Sequence, residues 1–153
     1  MKNEILLTGN ISESEIVQLN KELTEVKIIK TQIKGFSDSE FIQLVFHNFD
    51  ILTFSRDFIL SKAINISVNQ IKKVIQFFKN RNKKIESINI EIQIKTKEKD
   101  FLLDIISENC ENIDLTIDLT NERLAFIIKE ADTNCRMEII FGANKSDVKI
   151  NKI

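Results

Sequence analysis

Ile88-Asn89-Ile90-Glu91-Ile92-Gln93-Ile94-Lys95 is the stretch that decides the fold class. Isoleucine alternates with a polar or charged residue through four repeats, the period of a β-strand with one buried face and one wet face. Strands of a doubly wound sheet are buried on both sides and read as unbroken apolar runs. A strand wet on one side therefore predicts an α+β domain.

Working towards the N-terminus, Ser67 opens a helix whose Ile71, Val74, Ile75 and Phe78 share one face. It runs out in Lys79-Asn80-Arg81-Asn82-Lys83-Lys84. Before it, Ser37-Asp38-Ser39-Glu40 carries a helix-start signal, and six of the eleven phenylalanines fall between Phe36 and Phe58. Segment 38–62 is read as a helix apolar around much of its circumference, so that it and the Ser67 helix form a pair. A pair of strands is the alternative, since Phe and Ile also favour sheets. The chain opens with a strand over Asn3–Gly9, a helix from Ser12 to Glu25 started by Ser12-Glu13-Ser14-Glu15, and a strand over Lys27–Lys34 broken by Gly35. That is one β-α-β unit.

Towards the C-terminus, Lys97–Asn112 reads as a helix with Phe101, Leu102, Ile105 and Ile106 turned inward. Ile113, Leu115, Ile117 and Leu119 then alternate with Asp114, Thr116, Asp118 and Thr120, which predicts a strand and a second β-α-β unit, right-handed if its strands are parallel. A C-terminal β-hairpin follows, with Leu124–Glu130 and Cys135–Phe141 flanking a turn at Ala131–Asn134. Asn121–Lys129 fits a helix equally, because Leu124, Ile127 and Ile128 have that spacing. A ferredoxin-like sandwich accommodates both β-α-β units with the helical pair inserted between them. No linker-like tract divides the chain, so 1–153 reads as a single domain.

The composition narrows the chemistry. Hydrophobic residues make up 42% and charged residues 29%, too apolar for a disordered chain, and the net charge of −1 exerts no global pull on nucleic acid or anionic membrane. Abundant Ile, Lys and Asn with no Trp or Pro indicate an AT-rich, bacterial coding bias. The first residues carry too short an apolar run for a secretory signal, and Phe41–Leu60 contains His47, Asn48, Asp50, Arg56 and Asp57, costly inside a bilayer. The expectation is a cytoplasmic protein that does not span a membrane. Cys110 and Cys135 are isolated thiols without a CxxC motif, expected to be reduced and largely buried.

Catalytic residues are scarce. His47 is the sole histidine, and neither G-x-G-x-x-G nor G-x-x-x-x-G-K-[ST] occurs among only three glycines, each read as a turn residue at a strand end. Asp114 and Asp118 would stand on one strand face about 13 Å apart, too far to share an ion. No cofactor or metal is expected. Two local features remain. Phe41, Phe46, Phe49, Phe54 and Phe58 form a candidate protein interface, with self-core as the plainer reading. Lys72, Lys73, Lys79, Arg81, Lys83 and Lys84 form a candidate anion or nucleic-acid patch, although cations near a helix C-terminus also stabilise the helix by themselves.

The order β-α-β, apolar helix, basic-ended helix with Phe77-Phe78-Lys79-Asn80-Arg81, then alternating strand is similar to that of the small effector-associated adaptor domains of bacterial conflict systems. The similarity covers residues 3–95 and is one of layout. The chain lacks that group's glycine-rich character and its Trp before the basic run, so no residue roles transfer. What it implies is a protein-binding module. The expected function is non-catalytic binding of another protein or of itself, in an adaptor or immunity-type role. A nucleic-acid binder using Lys79–Lys84 is the alternative, and an enzyme using Asp50, Asp114 and Asp118 is the third reading.

Overall fold

The computed structural model describes residues 2–31, 41–108, 112–144 and 147–153. One seven-stranded mixed sheet runs through it, in the order β2-β1-β3-β4-β5-β6-β7. In chain order the elements are β1 (Asn3–Thr8), α1 (Glu13–Glu22), β2 (Val26–Lys30), β3 (Ile42–Thr53), α2 (Leu60–Ala63), α3 (Asn65–Lys79), β4 (Ile85–Lys95), β5 (Asp100–Ser107), α4 (Ile113–Glu130), β6 (Arg136–Phe141) and β7 (Val148–Lys152). The α+β class is as read from the sequence, and a ferredoxin-like sandwich is compatible with this layering.

The alternating isoleucines do what their period predicts. Ile88, Ile90, Ile92 and Ile94 are buried, and the register sets Ile90 beside Phe46 on β3 and Ile105 on β5, with Ile139 of β6 next in line. That face carries the core and the described helices. Each fully buried Ile, Leu or Phe contributes about 1.5–3 kcal/mol. Helix α1 begins on a capping box, in which the Ser12 side chain accepts from the Glu15 N–H and Glu15 accepts from the Ser12 N–H, at 3.2 and 2.9 Å. It is joined to the end of α3 by Lys83 Nζ to Glu15 Oε1 at 2.7 Å and Arg81 to Gln18 at 2.9 Å. Helix α3 meets α4 through Lys72 and Asp114, and the Leu60 N–H at α2 donates to Asn121 Oδ1 of α4. The helices thus form a single layer.

Three β-α-β steps, β1 to β2, β3 to β4 and β5 to β6, each join parallel neighbours, while the units meet antiparallel. With α1, α2, α3 and α4 on one face, these strand directions give the β5–β6 step the opposite hand to the other two. All three cannot follow the usual right-handed rule.

Several sequence expectations are corrected. Segment 38–62 is not a helix: residues 42–53 form β3, the strand alternative, with Ile42, Leu44 and Phe46 inward and Gln43, Val45 and His47 outward. Lys97–Asn112 is not a helix either, because its residues 100–107 form β5, whose outer face carries Leu102 and Ile106 and so hides the period of two. The β4–β5 hairpin turns through Thr96–Lys99 without Gly, Asn or Pro, held by the Lys99 N–H donating to Thr96 Oγ1 at 3.0 Å.

Ile113–Thr120 is the start of α4 rather than a strand. The Asn112 side chain caps it by accepting from the Leu115 N–H, and the buried Thr116 and Thr120 donate their hydroxyls to the carbonyls of Asn112 and Thr116, one turn back, at 3.4 and 2.8 Å. Leu124–Glu130 continues this helix, the alternative reading. The C-terminal hairpin is real but pairs β6 with β7. The turn assigned to Gly35, the Ser37–Glu40 signal and Cys110 lie outside the described residues. Cys135 is a free, half-buried thiol.

Glycine is needed at one described position. Gly9 has φ +126°, and a Cβ there would clash with the Phe41 carbonyl oxygen. Gly9→Ala is expected to lower stability by about 2 kcal/mol through the forbidden φ, with the clash adding to it; urea unfolding reads this as a lowered midpoint at unchanged slope. An unchanged midpoint would refute the assigned geometry. With so few glycines, Asn82 (φ 57°) and Asn134 (φ 63°) hold the left-handed turn positions after α3 and before β6.

Candidate functional site

Alternation places the side chains that do not enter the core on the opposite face of the sheet, and no described helix covers that face. Following the register across the strands, Ile29, Leu6, Val45, Asn89, Ile106, Ile140 and Lys149 form one row. Its apolar members are half-buried by one another. A second row runs Lys27, Glu4, His47, Glu91, Asp104, Glu138 and Asn151. A third sets Ile51, Gln93, Leu102 and Arg136 in line, and Ile153 exchanges backbone hydrogen bonds with Arg136. The face is therefore a charged row between two rows with substantial apolar content.

The charged row is wired at its centre. His47 Nδ1 lies 2.6 Å from Glu91 Oε2, and Glu91 Oε1 lies 3.6 Å from Arg136 Nη1. Arg136 Nη1 also donates to Asp104 Oδ2 at 2.5 Å. Asp104 is only 2% exposed although no described helix lies over it. The longer Glu91 and Glu138 flank it in register, and Leu102 and Ile106 flank it along β5. Burial pushes its carboxyl above the ordinary carboxylate range, with Glu91 and Glu138 adding to the rise and Arg136 opposing it. Its Oδ1 is buried with no hydrogen-bond partner, and so is Oδ1 of Asn89 on the neighbouring strand.

The two candidate sites read from the sequence are each divided. Phe46 is buried in the core, Phe54 and Phe58 are half-buried with ring centroids 5.5 Å apart, and Phe41 and Phe49 are exposed. Phe49 stacks on His47 at 6.2 Å, beside the exposed Ile51, and so joins the open face. The helical interface thus gives way to part of a sheet surface.

In the basic run, Arg81 and Lys83 turn to Glu15 on α1, Arg81 also stands over the Phe77 ring at 3.6 Å, and Lys72 pairs with Asp114. Burial raises the Glu15 carboxyl, but hydrogen bonds from Lys83 and Ser12 outweigh it and hold the group below its usual range. Lys72, Lys79, Lys83 and Lys84 line a cleft of about 810 Å³ beside the start of α4, whereas Lys73 and Arg81 line a separate one between α1 and α3. Arg81 and Lys83 thus tie the end of α3 to α1, and Lys72 ties α3 to α4. Asp114 and Asp118 lie on α4 and Asp50 at the β3 bulge, and no group of three or more His, Cys, Asp or Glu residues able to hold a metal occurs among the described residues.

The His47–Glu91–Arg136–Asp104 network was not legible from sequence. Its one available signal was the sole histidine on an alternating stretch; joining it to Glu91 and Asp104 required the strand register. No described helix is long and apolar enough to cross a membrane. No protein-family model, curated protein or solved structure matches the chain.

Proposed function

We propose that this protein acts without catalysis, by binding another protein through the open face of its sheet. The observation supporting this reading is the set of apolar residues Leu6, Ile29, Val45, Leu102, Ile106 and Ile140 on a face that no described helix covers. Six inter-strand spacings give a width of about 29 Å, and six-residue strands a length of about 20 Å. The resulting area, on the order of 600 Å², approaches the roughly 800 Å² that each partner contributes to a stable complex. The one histidine on this face is tied to a carboxylate and an aromatic ring, which suits a contact surface better than a reaction centre. An adaptor or immunity-type role in a bacterial cytoplasm is the setting in which such a surface would work.

The test is affinity capture from the native host with the wild-type chain, an Ile106→Arg variant and a Lys73→Glu variant. A stoichiometric protein retained at high salt by wild type and Lys73→Glu, but lost with Ile106→Arg, is expected. Loss with Lys73→Glu alone, or salt-released nucleic acid, would replace this reading with one based on α3.

A further inference from the structure

We propose that His47 makes the charged row of the open face a single pH-responsive unit, in which a proton taken at Nε2 is felt through Glu91 at Arg136 and Asp104. This inference concerns the regulation of that surface, and it rests on the docking reading only for its consequence to a partner. Three contacts carry it. His47 Nδ1 lies 2.6 Å from Glu91 Oε2, Glu91 Oε1 lies 3.6 Å from Arg136 Nη1, and the same Nη1 lies 2.5 Å from Asp104 Oδ2. They run from β3 through β4 to β6 and β5, so four adjacent strands share one chain of charges.

The first contact fixes where the proton goes. A carboxylate only accepts, so at 2.6 Å the imidazole hydrogen sits on Nδ1. Nε2 then keeps the lone pair, and it makes no hydrogen bond among the described residues. The ring stacks on Phe49, while 27% of the side chain stays open to solvent, the source of the proton. Histidine is the side chain whose charge ordinarily changes between about pH 5 and 8. The charged groups facing this one are Glu4, in register on β1, and Glu91, in register on β4. Both are carboxylates, and both gain from an imidazolium between them.

The second contact is the one that gives way. At 3.6 Å it is longer than a hydrogen bond, whereas Arg136 holds Asp104 at 2.5 Å. With His47 neutral, Glu91 is answered by the Nδ1–H and by Arg136, which Asp104 also claims. Once the imidazolium forms, Glu91 meets a full positive charge at its other oxygen, and Arg136 turns wholly to Asp104. Arg136 can move because 42% of its side chain is in solvent, while Asp104 is fixed by burial. Across the row, the carboxylates Glu4, Glu91, Asp104 and Glu138 face two cations, Lys27 and Arg136, and the imidazolium is a third. A partner covering the face takes this row out of water. A proton that removes one unit of its excess negative charge therefore favours docking on the acid side.

The test uses the full chain, labelled with ¹⁵N and ¹³C and with no partner added. Because His47 is the sole histidine, NMR reads its ring nitrogens without overlap from about pH 5 to 8. The expected result is the Nδ1–H tautomer at the alkaline end and one inflection at the imidazole that recurs, at the same pH, at the Arg136 Nε–H. In His47→Gln and in Glu91→Gln the Arg136 inflection should be lost, while the imidazole of the Glu91→Gln variant still titrates. An Arg136 inflection that survives His47→Gln reports Asp104 alone and overturns the proposal. So does an imidazole that titrates with no response at Arg136, one that keeps a single charge state throughout, or a hydrogen found on Nε2 at the alkaline end. None of these outcomes bears on the docking surface itself, which the Ile106→Arg capture decides separately.

Discussion

Phe46→Ala is expected to destabilise the fold by about 3–5 kcal/mol, whereas Phe49→Asp, three residues along the same strand, should leave folding intact. Phe46 sits on β3 between Ile5 of β1 and Ile90 of β4, and it is among the largest side chains with almost no exposure. Removing its ring takes away a large buried surface and leaves a cavity in a packed layer that cannot collapse without moving three strands. Phe49 lies past the start of a register break between Asn48 and Ile51, with its ring 42% exposed on the open face. Denaturant unfolding with circular dichroism checks both. The two phenylalanines look alike in the sequence, so a similar loss in each would contradict the strand placement. If Phe49→Asp folds and also weakens partner capture, it locates the interface at that end of the open face.

Arg136→Met should cost about 3 kcal/mol at neutral pH, because it leaves the buried Asp104 carboxylate without its donor. The lower end of the range for broken buried pairs applies, since the Arg136 side chain is itself 42% exposed to solvent. The pH dependence has a definite sign. The folded Asp104 carboxyl already lies above its unfolded value, so the folded state holds the proton longer. Its contribution is most favourable below the unfolded carboxyl range and is lost as pH rises through the raised folded value. Arg136 opposes that rise, so removing it pushes the carboxyl higher still. The loss of stability in Arg136→Met should therefore be small at about pH 4 and grow towards about pH 7. Urea midpoints at the two pH values measure it. The double variant Asp104→Leu with Arg136→Met should recover most of the loss, because it removes the buried charge together with its partner. A deficit independent of pH would show that Arg136 acts by packing alone.

How far the fold was readable depended on what each strand carried on its outer face. At β4 the outward residues are Asn89, Glu91 and Gln93, so the period of two is plain. At β5 the apolar Leu102 and Ile106 stand outward on either side of Asp104, and the strand resembles one side of a helix. The sheet face that blurred this pattern is the same face that forms the candidate interface. In α4 the confusion ran the other way. Buried Thr116 and Thr120 look polar in sequence, but a helix satisfies their hydroxyls on its own backbone, and the leftover pattern mimics a strand. The basic run was visible as composition, but the commitment of Arg81 and Lys83 to Glu15 required α1 and α3 to lie side by side.

Alone, the sequence determined the α+β class, the opening β-α-β unit, the α3 helix and the wet face of β4. Each follows from a periodicity or a capping signal contained within a few turns or strand repeats. Only the tertiary structure decided which residues share the open face, and that His47, Glu91, Arg136 and Asp104 meet there. Those contacts link positions far apart in the chain through strand register. A shift of one residue in any pairing would turn a whole strand's side chains to the other face.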